Sequence, residues 1–201
     1  MTLDCGCGEG YGTAWLKKQG INIIGLDYSQ QAVNVTHLQS SKIEVIMGDV
    51  NSLPIKPNSF ESIISFELIE HLEDSTSYLS NICQTLKATG IFIGSTPIKK
   101  ENRYKNGKPK NIFHKREYSI DEIKTLLKKY FGSVQLFGQK FPSKIEIIFF
   151  SQIYKLGILR DQHTYYPIHE IVTPKDDKCL WIARQPKKKV KEANVVHVVD
   201  E

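Results

Sequence analysis

The segment Leu3–Gly12, LDCGCGEGYG, constrains this chain more than any other stretch. A short apolar run ends at Cys5, glycines follow at Gly6, Gly8 and Gly10, and helix-compatible residues begin at Tyr11. Glycine adopts positive φ without steric cost and lets the backbone approach another group closely. A strand that turns in this way into a helix presents unpaired helix N-terminal amides to a polar ligand. In an open α/β sheet the carboxyl end of a strand is also where ligands sit.

Strand and helix periods alternate after the loop. Residues 2–5 (TLDC), 21–27 (INIIGLD), 43–49 (IEVIMGD), 60–66 (FESIISF) and 90–97 (GIFIGSTP) are near-continuous apolar runs. Helices are expected over 11–19, from a Ser29 cap to about Gln39, and from Asp74 or Ser75 to about Lys87. Such alternation indicates a parallel sheet covered by helices on both faces. Residues 98–118 break the rhythm; they are basic and poor in aliphatics and read as a loop or lid. Ser119, with Glu122 three residues on, makes a capping box for a helix ending near Tyr130. Residues 131–139 read as a sixth strand and 179–185 (CLWIARQ) as the last. IEIIFFSQIYKLGIL, within 140–175, reads as a docked apolar helix. One domain is therefore expected over 1–185, with a lid at 98–118 and a helical insertion at 140–175, followed by a charged, disordered tail at 186–201.

Composition narrows the classes. With 201 residues, 40% hydrophobic and 24% charged, the chain suits one globular domain. No run of about 18 apolar residues and no secretory signal is present, so a cytoplasmic protein without a membrane span is expected. The four cysteines have neither zinc-knuckle nor disulfide spacing, and no metal site is expected. The net charge of +5 is concentrated at 99–116 and 187–191 and would suit an acidic or phosphorylated partner.

Spacing points to the ligand. A dinucleotide fingerprint needs Gly-x-Gly-x-x-Gly. Counted from Gly6 and Gly8, its third glycine falls on Tyr11, so it fails. Asp4, two residues before Gly6, would repel a pyrophosphate and suits a cation. S-adenosylmethionine is such a ligand, carrying an ammonium and a sulfonium. Asp27, closing the second strand, can accept both ribose hydroxyls. Asp49, after the third, can accept from the adenine amino group while the Val50 amide donates to the ring.

These residues resemble the class I S-adenosylmethionine-dependent methyltransferases. LDCGCGEG is similar to that family's first motif, GLDYS to its acidic second-strand end and GDVNSLPI to its adenine-binding turn. FESIISFELIEHLED resembles the fourth-strand motif of the subgroup containing ubiquinone-biosynthesis O-methyltransferases and many sugar or small-molecule methyltransferases. LKATGIFIGSTP resembles its fifth strand, with Ala88-Thr89-Gly90 where Pro-Gly-Gly is usual. NIFHKREYSIDEI (111–123) is similar to a segment of polysaccharide-linked methyltransferases, and DDKCLWIARQPK to the final antiparallel strand. The resemblance covers residues 2–97 best. It implies a Rossmann-like, mostly parallel sheet of seven strands with the last reversed. It also implies a cofactor-binding set of Asp4, Gly6, Cys7, Gly8, Gly10, Asp27, Tyr28, Asp49, Val50 and Phe66. Members carry a helix before the first strand; with Met1 two residues ahead of Leu3, a truncated reading frame or another segment over the site is expected.

Methyl transfer to a hydroxyl requires alignment and benefits from a proton acceptor. The candidates are His71 after the fourth strand, His114 in the lid, and Glu67 at the strand end, which could orient the substrate or the cofactor's amino group. Arg116 and Lys115 could hold a phosphate or carboxylate; Glu70 reads as exposed, and Phe113 and Tyr118 as lid anchors. The expected acceptor is a hydroxyl of a small molecule or a polysaccharide-linked sugar. The competing readings are a truncated, non-catalytic binding protein and an RNA methyltransferase. SFEL in place of an Asn/Asp-Pro-Pro-aromatic motif argues against methylation of base amines. The lid also lacks the aromatic interleaving of a nucleic-acid groove. The failed fingerprint argues against an NAD-dependent reductase.

Overall fold

The computed structural model describes residues 1–39, 43–53, 55–140, 168–169, 172–173 and 175–187. Its first elements are β1 (Thr2–Cys5), α1 (Tyr11–Lys18), β2 (Ile23–Asp27), α2 (Gln30–Gln39), β3 (Glu44–Met47) and β4 (Phe60–Phe66). They continue with α3 (Ser75–Thr85), β5 (Leu86–Pro97), β6 (Tyr104–Lys105), β7 (Lys108–Pro109), α4 (Ile120–Tyr130), β8 (Phe131–Gln139), β9 (Ile168–His169) and β10 (Lys178–Pro186).

The main sheet has the order β3-β2-β1-β4-β5-β10-β8-β9. The first five strands in that order are parallel, and β10 runs antiparallel to both β5 and β8. This is the expected Rossmann-like sheet with its last long strand reversed. It is extended at the β8 edge by the two-residue β9, also antiparallel. The chain starts in the middle of the sheet, steps one way through β2 and β3, then returns to β4 and steps the other way. Right-handed crossovers therefore put α1 and α2 on one face and α3 and α4 on the other. The reversal between β1 and β4 leaves a crevice at their carboxyl ends, the usual ligand position in such sheets.

Burial explains the strands. All four residues of β1 are buried, as continuous apolar runs in a doubly covered sheet require. The second face is filled by aromatic rings. Phe92 stacks on Phe131 at 5.6 Å between centroids, with Trp181 at 5.8 Å and Tyr78 at 6.3 Å. α4 turns Ile123 and Leu127, one turn apart, into this core. Its start is the expected capping box of Ser119 and Glu122. Asp74 caps α3, its Oδ1 accepting the Thr76 and Ser77 amides at 2.9 and 3.0 Å.

Three expectations are corrected. The fifth strand begins at Leu86, not Gly90, because Leu86 already pairs with Phe60. The pairing slips before Ile91 meets Ser62, and Lys87–Gly90 take up the slack. The lid contains a hairpin of β6 and β7. Asn106 and Gly107, with φ of 52° and 75°, supply the two left-handed residues such a tight turn needs. Several lid cations are also engaged internally: Asp177 Oδ1 takes Lys100 at 2.8 Å and Arg103 at 3.4 Å. The apolar helix expected at 145–159 and the tail from 188 lie outside the described residues, and 168–169 pair as β9 instead of continuing a helix. Among the described residues no helix is long and apolar enough to cross a membrane.

Gly94 marks the tightest point of the sheet. A Cβ there would run into the Trp181 ring and stand 2.7 Å from the Ser65 carbonyl oxygen. Gly94→Ala is expected to lower unfolding free energy by about 1–3 kcal/mol through overpacking. Gly12→Ala, on α1 with nothing within 4 Å, serves as the control and should be neutral or stabilising in the same urea titration.

Candidate functional site

The crevice is built from strand ends. After β1 the chain turns through Gly6, Gly8 and Gly10, with φ of 73°, 53° and 78°. The turn is tied to the end of β2. The Leu26 carbonyl accepts from the Gly6 amide at 2.8 Å and the Cys7 amide at 3.1 Å. Asp27 Oδ2 accepts from the Gly8 amide at 2.8 Å, and its Oδ1 from the Ser29 amide at 2.9 Å. Gly10 precedes α1 and abuts Thr36 of α2 so closely that a side chain would collide with it. Thr36 Oγ1 in turn donates to the Gly8 carbonyl at 3.2 Å.

Asp4 and Cys7 are not among the residues that line the cavity in the crevice. Asp4 is 6% exposed, and Thr13 Oγ1 donates to its Oδ2 at 2.6 Å. Burial lifts its pKa to about 6; the Thr13 hydrogen bond opposes the rise and the Asp27 charge adds to it. Its task is to anchor α1 to β1 beneath the glycine turn. Cys7 fills the space of the side chain missing at Gly25, where a Cβ would lie 2.9 Å from its sulfur. Burial, followed by the charges of Asp4 and Asp27, pushes its thiol up to about 12, so it acts as packing and not as a thiolate.

In front of the turn lies a cavity of about 640 Å³. Its lining includes Gly6, Asp27, Tyr28, Asp49 and Val50 from the first three strand ends. Leu68, His71, Leu72, Glu73 and Lys115 complete it from the turn after β4 and from the lid. That volume is typical of sites for cofactor-sized ligands. A second depression, about 480 Å³, is lined by Ser75, Arg116, Glu122 and Lys129 and holds none of the expected cofactor residues. Asp49 caps the single turn Val50–Ser52, accepting from the Asn51 amide at 2.8 Å. Val50 is the first residue of that turn, where an amide has no acceptor within the helix. Tyr28 is 80% exposed at the mouth, and Phe66 is a partly exposed side chain at the end of β4, outside the lining.

The far end of the cavity is built by a second 3₁₀ turn, Ile69–His71. Glu67, in the left-handed region with φ of 54°, leads into it. Its carboxylate accepts from Ser95 Oγ at 2.6 Å and pairs with Lys178 at 2.9 Å, so it is engaged on both oxygens. Glu70 is buried, not exposed as its sequence context suggests. The lid docks on it: the Lys115 and Arg116 amides donate to its carbonyl at 2.8 and 3.1 Å. Thr96 Oγ1 donates to its Oε2 at 3.1 Å, and Oε1 is buried without a partner among the described residues. Burial, chiefly, lifts the Glu70 pKa to about 7. His71 donates Nδ1–H to the Phe113 carbonyl at 2.9 Å. The His114 ring packs edge-on against it at 5.0 Å and is held by the buried Glu117 carboxylate, 2.9 Å from Nδ1.

The structure thus gathers Gly6, Asp27, Tyr28, Asp49, Val50 and His71 around one cavity, with His114 directly behind His71. Tyr118 is a buried lid anchor as expected, whereas Phe113 is 69% exposed. Arg116 lies over the Tyr118 ring and pairs with Glu122 at 2.8 Å; Lys115 pairs with Glu73 at 2.9 Å. Sequence reasoning missed Leu68, which packs on Gly6, and Glu117. The second had a signal, since it stands three residues after His114.

Comparisons with known proteins point to methyltransferases. Residues 3–94 match the family model described as a methyltransferase domain. A probable S-adenosylmethionine-dependent methyltransferase of Mycolicibacterium smegmatis is 32% identical over 125 residues, which is 62% of this chain and 49% of the relative. A ubiquinone biosynthesis O-methyltransferase of Paramagnetospirillum magneticum is 31% identical over 97 residues, 47% of this chain and 39% of the relative. The chain spans about half the length of the curated relatives it matches. Among solved structures, a methyltransferase of Thermotoga maritima described as a possible histamine N-methyltransferase shares the fold. It aligns over 92% of this chain and 81% of its own with a TM-score of 0.70 at 20% identity.

Asp4 supplies a test of the loop's foundation. Because its native pKa is raised from 3.8 to about 6, the folded state keeps a proton that the unfolded chain releases in that window. Its contribution to stability is therefore present below pH 3.8 and is lost as pH rises through about 6. Asp4→Asn keeps an acceptor for Thr13 and removes the titration. Its stability relative to wild type should grow across that window in denaturant unfolding at stepped pH; a constant difference would show that Asp4 does not titrate there.

Proposed function

We propose that this chain, whose residues 3–94 match a methyltransferase domain, is a class I S-adenosylmethionine-dependent methyltransferase and transfers the cofactor's methyl group to a hydroxyl of a small-molecule or sugar acceptor. The observation that carries this reading is the position of Asp27. Each of its carboxylate oxygens takes one backbone amide and keeps further lone-pair capacity at the cavity wall. Two adjacent hydroxyls of a ribose match that pair. Asp49 and the Val50 amide offer an acceptor and a donor one residue apart, as an adenine edge requires. Asp27, Asp49 and Glu73 outnumber Lys115 in the lining, which favours a cationic ligand. The residues present therefore fit S-adenosylmethionine, which when bound supplies a methyl group already activated on sulfur.

The chain's own residues then place the acceptor and receive its proton. With Nδ1 of His71 donating to Phe113, its Nε2 carries a lone pair that can accept a proton from a hydroxyl. His114 is oriented in the same sense by Glu117. A neutral amine attacks without first losing a proton, so a pair of oriented imidazoles favours a hydroxyl acceptor. Glu67, tied to Ser95 and Lys178, acts as a positioning residue. The setting we propose is cytoplasmic.

Asp27→Ala should weaken S-adenosylhomocysteine binding by more than about tenfold in calorimetry, since hydrogen bonds to a charged group contribute roughly 1.5–3 kcal/mol each. Circular dichroism should stay native. Unchanged affinity would place the ribose elsewhere. His71→Ala and His114→Ala should lower turnover on an identified acceptor while leaving cofactor affinity near wild type; full turnover in both would remove them from the chemistry.

A further inference from the structure

We infer that Glu70, His71 and His114 bind one divalent first-row transition ion at the acceptor end of the cavity, an inference that deepens the hydroxyl-transfer reading and rests on it. One carboxylate oxygen of Glu70 and one ring nitrogen of each histidine lie within 4.8 Å of one another. That is the span of ligands around a single ion, whose bonds to nitrogen and oxygen are about 2.0–2.2 Å long.

Two independent features separate this cluster from an accidental grouping. The first is Glu70 itself. The residue is 1% exposed, and its Oε1 has no hydrogen-bond partner among the described residues. A buried carboxylate oxygen without a partner is costly, and a cation is what would satisfy it. The second is the orientation of both rings. Nδ1 of His71 is bound to the Phe113 carbonyl, and Nδ1 of His114 to the Glu117 carboxylate, each at 2.9 Å. An oxygen acceptor on Nδ1–H leaves the lone pair on Nε2, the arrangement that outer-shell carboxylates and carbonyls impose on metal-binding histidines. Glu117 is 3% exposed, and its Oε1 holds this ring.

The neighbouring charges are compatible with a cation. Lys178 is neutralised by Glu67 and Lys115 by Glu73. Two imidazoles and one carboxylate select first-row ions such as Zn²⁺ or Mn²⁺ over the oxygen-seeking Mg²⁺ and Ca²⁺. Three protein ligands leave a coordination position open, and His71 lines the cavity, so that position is available to an acceptor oxygen. An ion held there would acidify a hydroxyl brought to that position, whose proton would leave to water. With the ion in place, the Nε2 lone pairs serve the metal and water receives the proton that imidazole would otherwise take. This revises the expectation of no metal site.

The test uses the untagged full chain, stripped with a chelator and titrated with Co²⁺, whose visible absorption reports coordination. The expected result is one Co²⁺ per chain, displaced by Zn²⁺ and not by Mg²⁺. Glu70→Gln and His114→Ala should each weaken binding by about tenfold or more, and His37→Ala, on the exposed face of α2, should not. If Glu70→Gln fails to fold, His71→Ala and His114→Ala decide the matter. Absence of Co²⁺ binding, or variants that bind like wild type, would overturn the inference. S-adenosylhomocysteine binding to the stripped protein is measured in parallel. If it persists while Co²⁺ binding is absent, the metal inference fails and the methyltransferase reading stands.

Discussion

The tether between the glycine turn and the end of β2 organises everything around it. The Leu26 carbonyl takes two amides of the turn and the Asp27 carboxylate a third, so the backbone after β1 is held in one left-handed path. Without that tether the turn would have to satisfy its amides in water and the cavity wall would lose its shape. The same carboxylate takes the Ser29 amide at the start of α2 and keeps lone pairs for a ligand. A single acid therefore joins two crossovers of the sheet to the site between them. Beneath it, Asp4 and Thr13 fix α1 to β1 in the dry interior.

The opposite wall depends on a different contact, the docking of the lid on the turn after β4. Two lid amides converge on the Glu70 carbonyl, and a third lid group, the Phe113 carbonyl, receives the His71 ring. Lid and turn together bury Glu70 and bring His71 and His114 edge to face. The basic character of the lid is partly absorbed by this docking. Lys100 and Arg103 converge on Asp177 just before β10, so the segment is stitched to the reversed strand.

What was legible in the sequence was local. The glycine spacing, the acids closing the second and third strands, and the Ser119–Glu122 capping box are each signals only a few residues long. The parallel sheet was legible from the alternation of strands and helices, and its reversed last strand from the resemblance, whereas the strand order came from the structure. Long-range consequences were not legible. Glu70 sits among polar neighbours in Glu70–Asp74 and reads as exposed; the groups that enclose it, Thr96 of β5 and the lid more than forty residues on, are distant in sequence. Asp4 reads as a ligand-facing acid because it stands before the glycines; its burial and its bond from Thr13 were not legible there. Phe113 looks like an anchor by composition, yet its carbonyl, not its ring, does the anchoring. The Asn106-Gly107 hairpin was a local signal in plain view, overlooked because its flanks are charged instead of apolar.

The proposed function turns on whether the cavity in front of the glycine turn seats S-adenosylmethionine with its ribose on Asp27. The most direct measurement is a crystal structure of the full chain with S-adenosylhomocysteine. Density is expected in that cavity, with both ribose hydroxyls within hydrogen-bonding distance of the Asp27 carboxylate and the adenine beside Asp49 and Val50. Density seated elsewhere, or with the ribose turned away from Asp27, would contradict it.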